Sequence, residues 1–291
     1  VALRLATRGS KLALTQAGQV AEMLGGAELV EVSSDGEMGD KSRFVRGVEQ
    51  ALLDGRADVG VHSAKDLPGE VPEGLEIASV PLREDPADAW IGAGASLEDA
   101  PEGARVGTAS LRRRAQLLAA RPDLRVEELH GNVDTRLRKL AEGDLDAIVL
   151  AAAGLRRLGR KAEIGFAIPV EAMVPAAGQG ALALQVRSGD AAAIEAVAAV
   201  LDFNSARELT AERATVVLLQ ATCTSPIGVH ARVEGESLGI EAFVGLPDGS
   251  EWLRDRVEGV ASDPAASGVR LAERLLGAGA RELLDRAEGM Q

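Results

Sequence analysis

The sequence predicts an α/β protein: two doubly wound lobes around a cleft, then a small C-terminal α+β domain. Three observations lead there. Short apolar runs alternate with stretches of helical periodicity through residue 155, the pattern of parallel strands joined by right-handed crossover helices. The plan then repeats within the chain. Leu52, Gly55, Asp58, Val61 and Leu67 match Leu140, Gly143, Asp146, Val149 and Leu155 at a constant offset, and RLAT (4–7) resembles RVGT (105–108) at a slightly different one. Beyond residue 220 the texture changes to short strand-like runs closed by two helical ones.

The elements follow in order. Residues 3–7 read as a strand, and a helix opens at Ser10 with Leu12, Leu14, Ala17, Val20, Ala21 and Leu24 at helical spacing, ended by Gly25-Gly26. A second strand covers 28–33. The polar, glycine-bearing SSDGEMGDKSR (33–43) reads as a mobile loop, and a helix through Val45, Val48, Ala51 and Leu52 leads to a central strand at 59–63. In the repeat, strand 104–108 precedes a helix opened by Ser110, strand 125–129 precedes helix 132–142, and LDAIVLAAAGL (145–155) is strand then helix. Residues 86–92 and 175–182 are expected to be the two crossings between lobes. PAAGQGALALQVR (175–187) is a return strand after a tight glycine turn, and 190–219 is helical with a break near Phe203–Ser205. The last part has strands at 228–234, 238–245 and 251–257, a turn at PDG (247–249), and helices at 264–277 and 279–288. The expected domains are 1–85 with 181–200, 86–180, and 203–291.

Composition narrows the function. Of 291 residues, 46% are hydrophobic and 26% charged, ordinary for a globular protein with ample chain for real cores. A net charge of −13 and only 2% aromatic residues argue against nucleic-acid binding. No apolar run reaches the ~18 residues of a membrane span. The strand-like opening has no signal-peptide pattern, and a single cysteine needs no oxidising compartment, so a cytoplasmic location is expected. His62, His130 and His230 are scattered without ligand spacing, so no metal site is expected. Phosphate-binding glycine loops and a nucleophile elbow are both missing.

Chemistry concentrates in VGVHSAKDLP (59–68), an apolar strand running into His62, Ser63, Lys65 and Asp66. Ligands of open α/β sheets bind beyond the carboxyl ends of strands, where this turn lies. An ordinary surface turn with a solvated charge pair is the alternative. Arginines cluster at helix starts against the acidic total. Arg8 precedes Ser10, Arg112–Arg114 follow Ser110, Arg136 and Arg138 follow Asn132, and Arg156, Arg157 and Arg160 follow the third strand of the repeat. Cations do not favour helix N-termini, whereas anions do, so this placement points to a ligand with several negative charges. The competing explanation pairs each arginine with one of the 45 acidic residues. Cys223, between two threonines in ATCTSPIG (221–228), is either a small buried hydrophobe or a functional thiol.

Eight ordered stretches resemble the porphobilinogen deaminase family over nearly the whole chain: ATRGSKLALTQ (6–16), HSAKDLP (62–68), REDPADA (83–89), GTASLRRRAQL (107–117), GNVDTRLRKL (131–140), AAAGLRRLG (151–159), PAAGQGA (175–181) and CTSPIG (223–228). The resemblance implies two lobes like those of periplasmic-binding proteins plus a domain carrying the cysteine. It implies a monomeric transferase that joins four porphobilinogen molecules into the linear tetrapyrrole hydroxymethylbilane, with loss of ammonia. A dipyrromethane cofactor, held by a thioether to Cys223, would prime the chain. Asp66, beside Lys65, would stabilise the cationic azafulvene and pass protons. Arg8, Ser10, Gln16, Arg136, Arg157 and Gln179 would face the incoming substrate, while Lys65, Ser110, Arg112 and Arg113 would hold cofactor carboxylates. Ser63, Thr108, His130 and Asn132 complete the expected carboxylate-binding set, and Lys41 lies on the loop over the cleft.

Departures from the family pattern matter. His130 stands where arginine is usual, Asp134 where glycine is usual, Ala109 where a hydroxyl residue is usual, and Ala221-Thr222 where a glycine pair is usual. The 33–43 loop is shorter than usual. The rival reading is a two-lobed anion-binding module without catalysis, which gives Asp66 and Cys223 no role.

Overall fold

The computed structural model describes residues 2–33, 43–222 and 224–290. The first lobe begins with β1 (Arg4–Arg8), α1 (Lys11–Met23), β2 (Glu28–Val32), α2 (Arg43–Leu53), β3 (Val59–Ser63) and β4 (Leu75–Ser79). The chain then enters the second lobe through β5 (Asp88–Gly92), β6 (Arg105–Gly107), α3 (Leu111–Ala120), β7 (Arg125–Glu127), α4 (Val133–Ala141), β8 (Ala147–Ala151), α5 (Ala152–Arg157) and β9 (Phe166–Ile168). It returns to the first sheet as β10 (Leu182–Arg187), followed by α6 (Ala191–Ala198) and α7 (Phe203–Leu218). The C-terminal unit is β11 (Ile227–Glu234), β12 (Ser237–Gly245), β13 (Trp252–Val260), α8 (Pro264–Gly277) and α9 (Ala280–Glu288).

The two large sheets share one plan, with orders β2-β1-β3-β10-β4 and β7-β6-β8-β5-β9. In each, four strands run in one direction and one, β10 or β5, lies reversed between two of them. The sheets are therefore mostly parallel with one reversed strand each, because β5 and β10 arrive from the other lobe and enter in the opposite sense. Residues 88–92, expected as a crossing, are instead strand β5, whose first four residues are buried. Pro86 and Asp88 made a buried strand look like a linker. Strands β4 and β9 also went unrecognised, and the helical break lies at 199–202, just before Phe203, where Asp202 caps α7 by accepting from the Ser205 N–H at 2.7 Å.

The matched residues of the repeat do matching work. Asp58 accepts from the Arg4 backbone N–H at 3.0 Å and from its guanidinium, and Asp146 accepts from the Arg105 N–H at 2.7 Å and from its guanidinium. Gly55 and Gly143 both take left-handed φ, +67° and +88°, where helices α2 and α4 end. Each sheet buries apolar side chains on both faces, Leu5, Val59 and Leu184 against Ala6 and Val32 in one lobe, and Trp90, Val106 and Val149 against Ile91, Ile148 and Leu150 in the other.

The third sheet is an antiparallel meander, its apolar face covered by α7, α8 and α9. A single side chain ties this unit to both lobe crossings. Glu212 of α7, fully buried, accepts from Arg83 Nη1 at 2.7 Å, from the Gly178 N–H at 2.6 Å and from the Ala231 N–H at 2.8 Å. Burial opposes its charge, but the Arg83 guanidinium and His230 beside it hold the carboxyl below its usual range. Among the described residues, no helix is long and apolar enough to cross a membrane.

Candidate functional site

The site forms where the carboxyl end of β3 meets the second crossing. After Ser63 the chain makes one short helical turn, Ala64–Asp66, stopped before Pro68. The Ala64 N–H donates to the Ala181 carbonyl at 3.0 Å. Gly178 packs against this turn with φ +71°, and a Cβ there would lie 2.9 Å from the Ala64 carbonyl carbon, so only glycine fits. Side chains of Lys65 and Asp66 are thereby presented at the strand end.

Asp66 Oδ2 lies 3.4 Å from Arg8 Nη2, at the end of β1. Ser63 Oγ donates to Gln16 Oε1 at 3.0 Å, and Gln16 is buried on α1. Arg8, Gln16, His62, Ser63 and Asp66 all line one small cavity. Lys65 Nζ donates to Gln179 Oε1 at 3.4 Å. Burial, and then the positive charge of Arg113, push the Lys65 ammonium down to about 8, with Asp66 and Asp88 opposing. Gln179 donates through Nε2 to the Pro86 carbonyl at 2.6 Å and to Asp88 Oδ1 at 3.0 Å.

Asp88 is the residue that the sequence reading missed. It is fully buried and accepts from Arg112 Nη1 at 2.8 Å and from Arg113 Nε at 2.9 Å. Burial would raise its carboxyl, but Arg112 and Arg113 overcome this and hold it below the usual carboxylate range. The available signal was a carboxylate opening an apolar run in REDPADAW (83–90).

Of the helix-start arginines, Arg8, Arg112, Arg113, Arg138, Arg156 and Arg160 have carboxylate partners. Pairing with acids thus accounts for most of them. Arg114, Arg136 and Arg157 differ, and the Nε of Arg114 is buried without a hydrogen-bond partner among the described residues. Arg136 and Arg157 are each half-buried and, among the described residues, donate only to a backbone carbonyl, Arg136 Nε to Gly131 at 2.8 Å and Arg157 Nη2 to Gly180 at 2.8 Å. Burial and the nearby Arg113 push Arg136 down to about 10, and burial likewise lowers Arg157. Arg112 also keeps Nε and Nη2 without a protein partner among the described residues, since only its Nη1 is used. These unused donors suit carboxylates.

The remaining expected residues are placed as follows. Ser10, Ser110 and Asn132 cap α1, α3 and α4, accepting from the N–H groups of Ala13, Arg113 and Thr135. Thr108 is buried and accepts from the Ser110 N–H at 3.2 Å. His130 is exposed, with Nε2 3.3 Å from Glu128, and nothing brings it to the cluster. Asp134 pairs with Arg160 at 2.7 Å and with Lys11 of the other lobe at 3.5 Å. Cys223, Lys41 and the 34–42 part of the loop lie outside the described residues.

Comparison with known proteins identifies the family. The family model described as "Porphobilinogen deaminase, dipyromethane cofactor binding domain" matches residues 3–195, and "Porphobilinogen deaminase, C-terminal domain" matches 206–277. Porphobilinogen deaminase from Thiobacillus denitrificans is 45% identical, covering 97% of this chain and 98% of its own. The Brevibacillus brevis protein of the same name is 43% identical, covering 97% and 96%. A weaker likeness, TM-score 0.43 at 13% identity, links the chain to a TRAP periplasmic solute binding protein from Ochrobactrum anthropi, covering 74% of this chain and 79% of that one. The two family matches together cover both lobes and most of the C-terminal unit. The chain belongs to the porphobilinogen deaminase family.

Proposed function

We propose that this chain deaminates porphobilinogen and joins four molecules head to tail into hydroxymethylbilane, on a dipyrromethane primer bound through a thioether to Cys223. The observation that carries the reading is that two half-buried arginines, Arg136 near Arg113 and Arg157 on the Gly180 carbonyl of the second crossing, have no carboxylate partner among the described residues. A half-buried guanidinium without a counterion is costly unless a ligand supplies one. Each pyrrole of substrate or primer carries an acetate and a propionate, which match that need. The free Nε and Nη2 of Arg112 fit the same chemistry. The dipyrromethane, when bound, supplies the pyrrole carbon to which the first substrate is joined.

The protein's own groups do the rest. Arg136 and Arg157 bind substrate carboxylates and orient the ring. Asp66, held by Arg8 at 3.4 Å, faces the positive charge that develops as ammonia departs and takes up or returns a proton at its carboxylate oxygen. Lys65, anchored on Gln179, keeps two further N–H donors for carboxylate. The enzyme is taken as a cytoplasmic monomer, with the division 1–85 plus 181–200, 86–180 and 203–291 as part of the proposal.

Intact mass of the denatured protein tests the reading. The expected mass exceeds that of the sequence by two pyrrole units, and Cys223→Ser abolishes the excess. An unmodified mass with a freely titratable thiol, in protein that still converts porphobilinogen, overturns attachment at Cys223. An unmodified mass without conversion favours the non-catalytic anion-binding module.

A further inference from the structure

We propose that Asp88 is a positioning residue for this reaction, holding Arg112, Arg113 and, through Gln179, the Lys65 ammonium in one chain across the two lobes. The inference rests on the function proposed above and adds a residue to it. Four observations carry it.

The first is connectivity. One buried carboxylate accepts from two guanidinium groups of α3 and from the Gln179 amide of the second crossing. The second is the orientation of Gln179. Both N–H groups of its Nε2 are committed, to Pro86 O and Asp88 Oδ1, so its Oε1 is left to face Lys65 Nζ. Without Asp88 the amide loses one of the two acceptors that hold it this way round. The third is charge. Arg112, Arg113 and Lys65 bring three positive charges together where, among the described residues, Asp88 is the one fully buried carboxylate beside them. The excess is what a carboxylate ligand neutralises.

The fourth comes from the internal repeat, and it separates function from folding. Asp88 pairs across the sheet with Ala151, as Leu182 pairs with Ser63, and Ala151 and Ser63 share the offset that relates Asp146 to Asp58. Leu182 is therefore the counterpart of Asp88. Counting from the capping serines Ser10 and Ser110, Leu12 and Ala13 are the counterparts of Arg112 and Arg113. The same fold position holds Leu, Ala and Leu in one lobe and Arg, Arg and Asp in the other. The architecture does not need the charges; something bound in the cleft does.

The groups facing Lys65 are Asp66 on its own turn, Arg112 and Arg113 from α3, Asp88 from β5 and Gln179 from the crossing, with Arg8 of β1 behind Asp66. Asp88→Asn removes an attractive charge and leaves the two arginines, so the Lys65 ammonium loses its proton at lower pH. The test uses the full chain, carbon-13 labelled at lysine, in the Cys223→Ser background so that no covalent group contributes charge. Lys65, one of five lysines, should titrate near 8 in the parent and about half a pH unit or more lower in Asp88→Asn. With Cys223 intact, the alkaline limb of the turnover profile should move down by the same amount. An unchanged Lys65 midpoint overturns the proposal.

If Asp88→Asn fails to fold, the triple variant Asp88→Leu, Arg112→Leu, Arg113→Ala installs the trio of the other lobe. Buried ion clusters replaced by apolar groups are often neutral or stabilising, so this variant should fold. Its Lys65 midpoint should rise, because two repelling charges leave with one attracting charge. Failure to fold, or no rise, makes the cluster structural and overturns the proposal. Neither lysine titration needs the cofactor, so both stay readable if the intact mass shows no adduct and the proposed function falls.

Discussion

Laid over each other strand by strand, the two lobes agree in topology and part company at the turn after the third parallel strand. β3 ends in His62 and Ser63 and leads to Lys65 and Asp66, whereas the matching positions at the end of β8 and just beyond it are Leu150, Ala151, Ala153 and Gly154. The backbone is handled alike in both. A serine caps the first helix, a left-handed glycine closes the second, and an aspartate clamps the arginine of the first strand. Side chains at the turn differ because one lobe presents a carboxylate and an ammonium to the cleft, while the other uses the turn as packing, with Ala152, Ala153 and Leu155 buried. The second lobe places its charges on α3, where the first is apolar. One lobe thus carries the proposed catalytic carboxylate and the other most of the anion-binding cations. The shared architecture tolerates either set.

Changes that erase the difference at the turn should have the largest effects. Asp66→Asn removes the charge and keeps the shape, and single-turnover ammonia release on protein whose adduct is confirmed by mass should fall by ~10²–10³. Asp66→Glu should retain more activity than Asp66→Asn. Release near the parent rate in Asp66→Asn would leave the two turns chemically equal and move the proton handling elsewhere.

A smaller effect sharpens the comparison at the preceding residue, His62 against Leu150. His62 is buried, and its Nε2 meets Gln185 Oε1 at 2.9 Å, while Gln185 Nε2 donates to Glu49. That orientation of the amide makes Nε2 the protonated nitrogen. Burial, against the Gln185 hydrogen bond, pushes its protonation down to about 4 from the ordinary 6.5. The unfolded chain therefore takes up a proton as pH falls below 6.5, and the folded chain does not until about 4. This contribution to stability is fully present above pH 6.5 and is lost between 6.5 and 4, about 3 kcal/mol in all. Denaturant titrations of the parent and of His62→Leu should show a shallower acid slope in the variant. Equal slopes would mean that His62 is protonated in the folded state.

The smallest effect compares the two clamps. Asp58 is more enclosed than Asp146, with side-chain exposures of 22% and 46%, and it also lies 3.7 Å from Arg187. Asp58→Ala should cost about 1 kcal/mol, and Asp146→Ala less, measured by chemical denaturation of each single variant. The reverse order would show that the second lobe depends more on its clamp than the first.

Most of the architecture was legible because it rests on local rules. Apolar periodicity located the helices. Ser10, Ser110 and Asn132 marked three helix starts, and PDG marked the β12–β13 turn, where Gly249 takes φ +73°. Strand β5 reads as a linker because Pro86 before it and Asp88 at its start carry loop signals, while its burial depends on β8 and β9, distant in sequence. The exposure of His130 and the burial of Asp88 were equally beyond local reading, because both depend on which segments pack alongside.

By itself, the sequence determined the element order, the internal repeat and the residues that carry the family likeness, all encoded in short-range spacing and in motif identity. Tertiary structure decided which charges are spoken for. Arg112 and Arg113 each pair with an aspartate 24 and 25 residues away, whereas Arg136 and Arg157 keep no carboxylate among the described residues. The physical reason is that a side chain's electrostatic state depends on desolvation and on partners within a few ångströms, and folding brings both from distant parts of the chain.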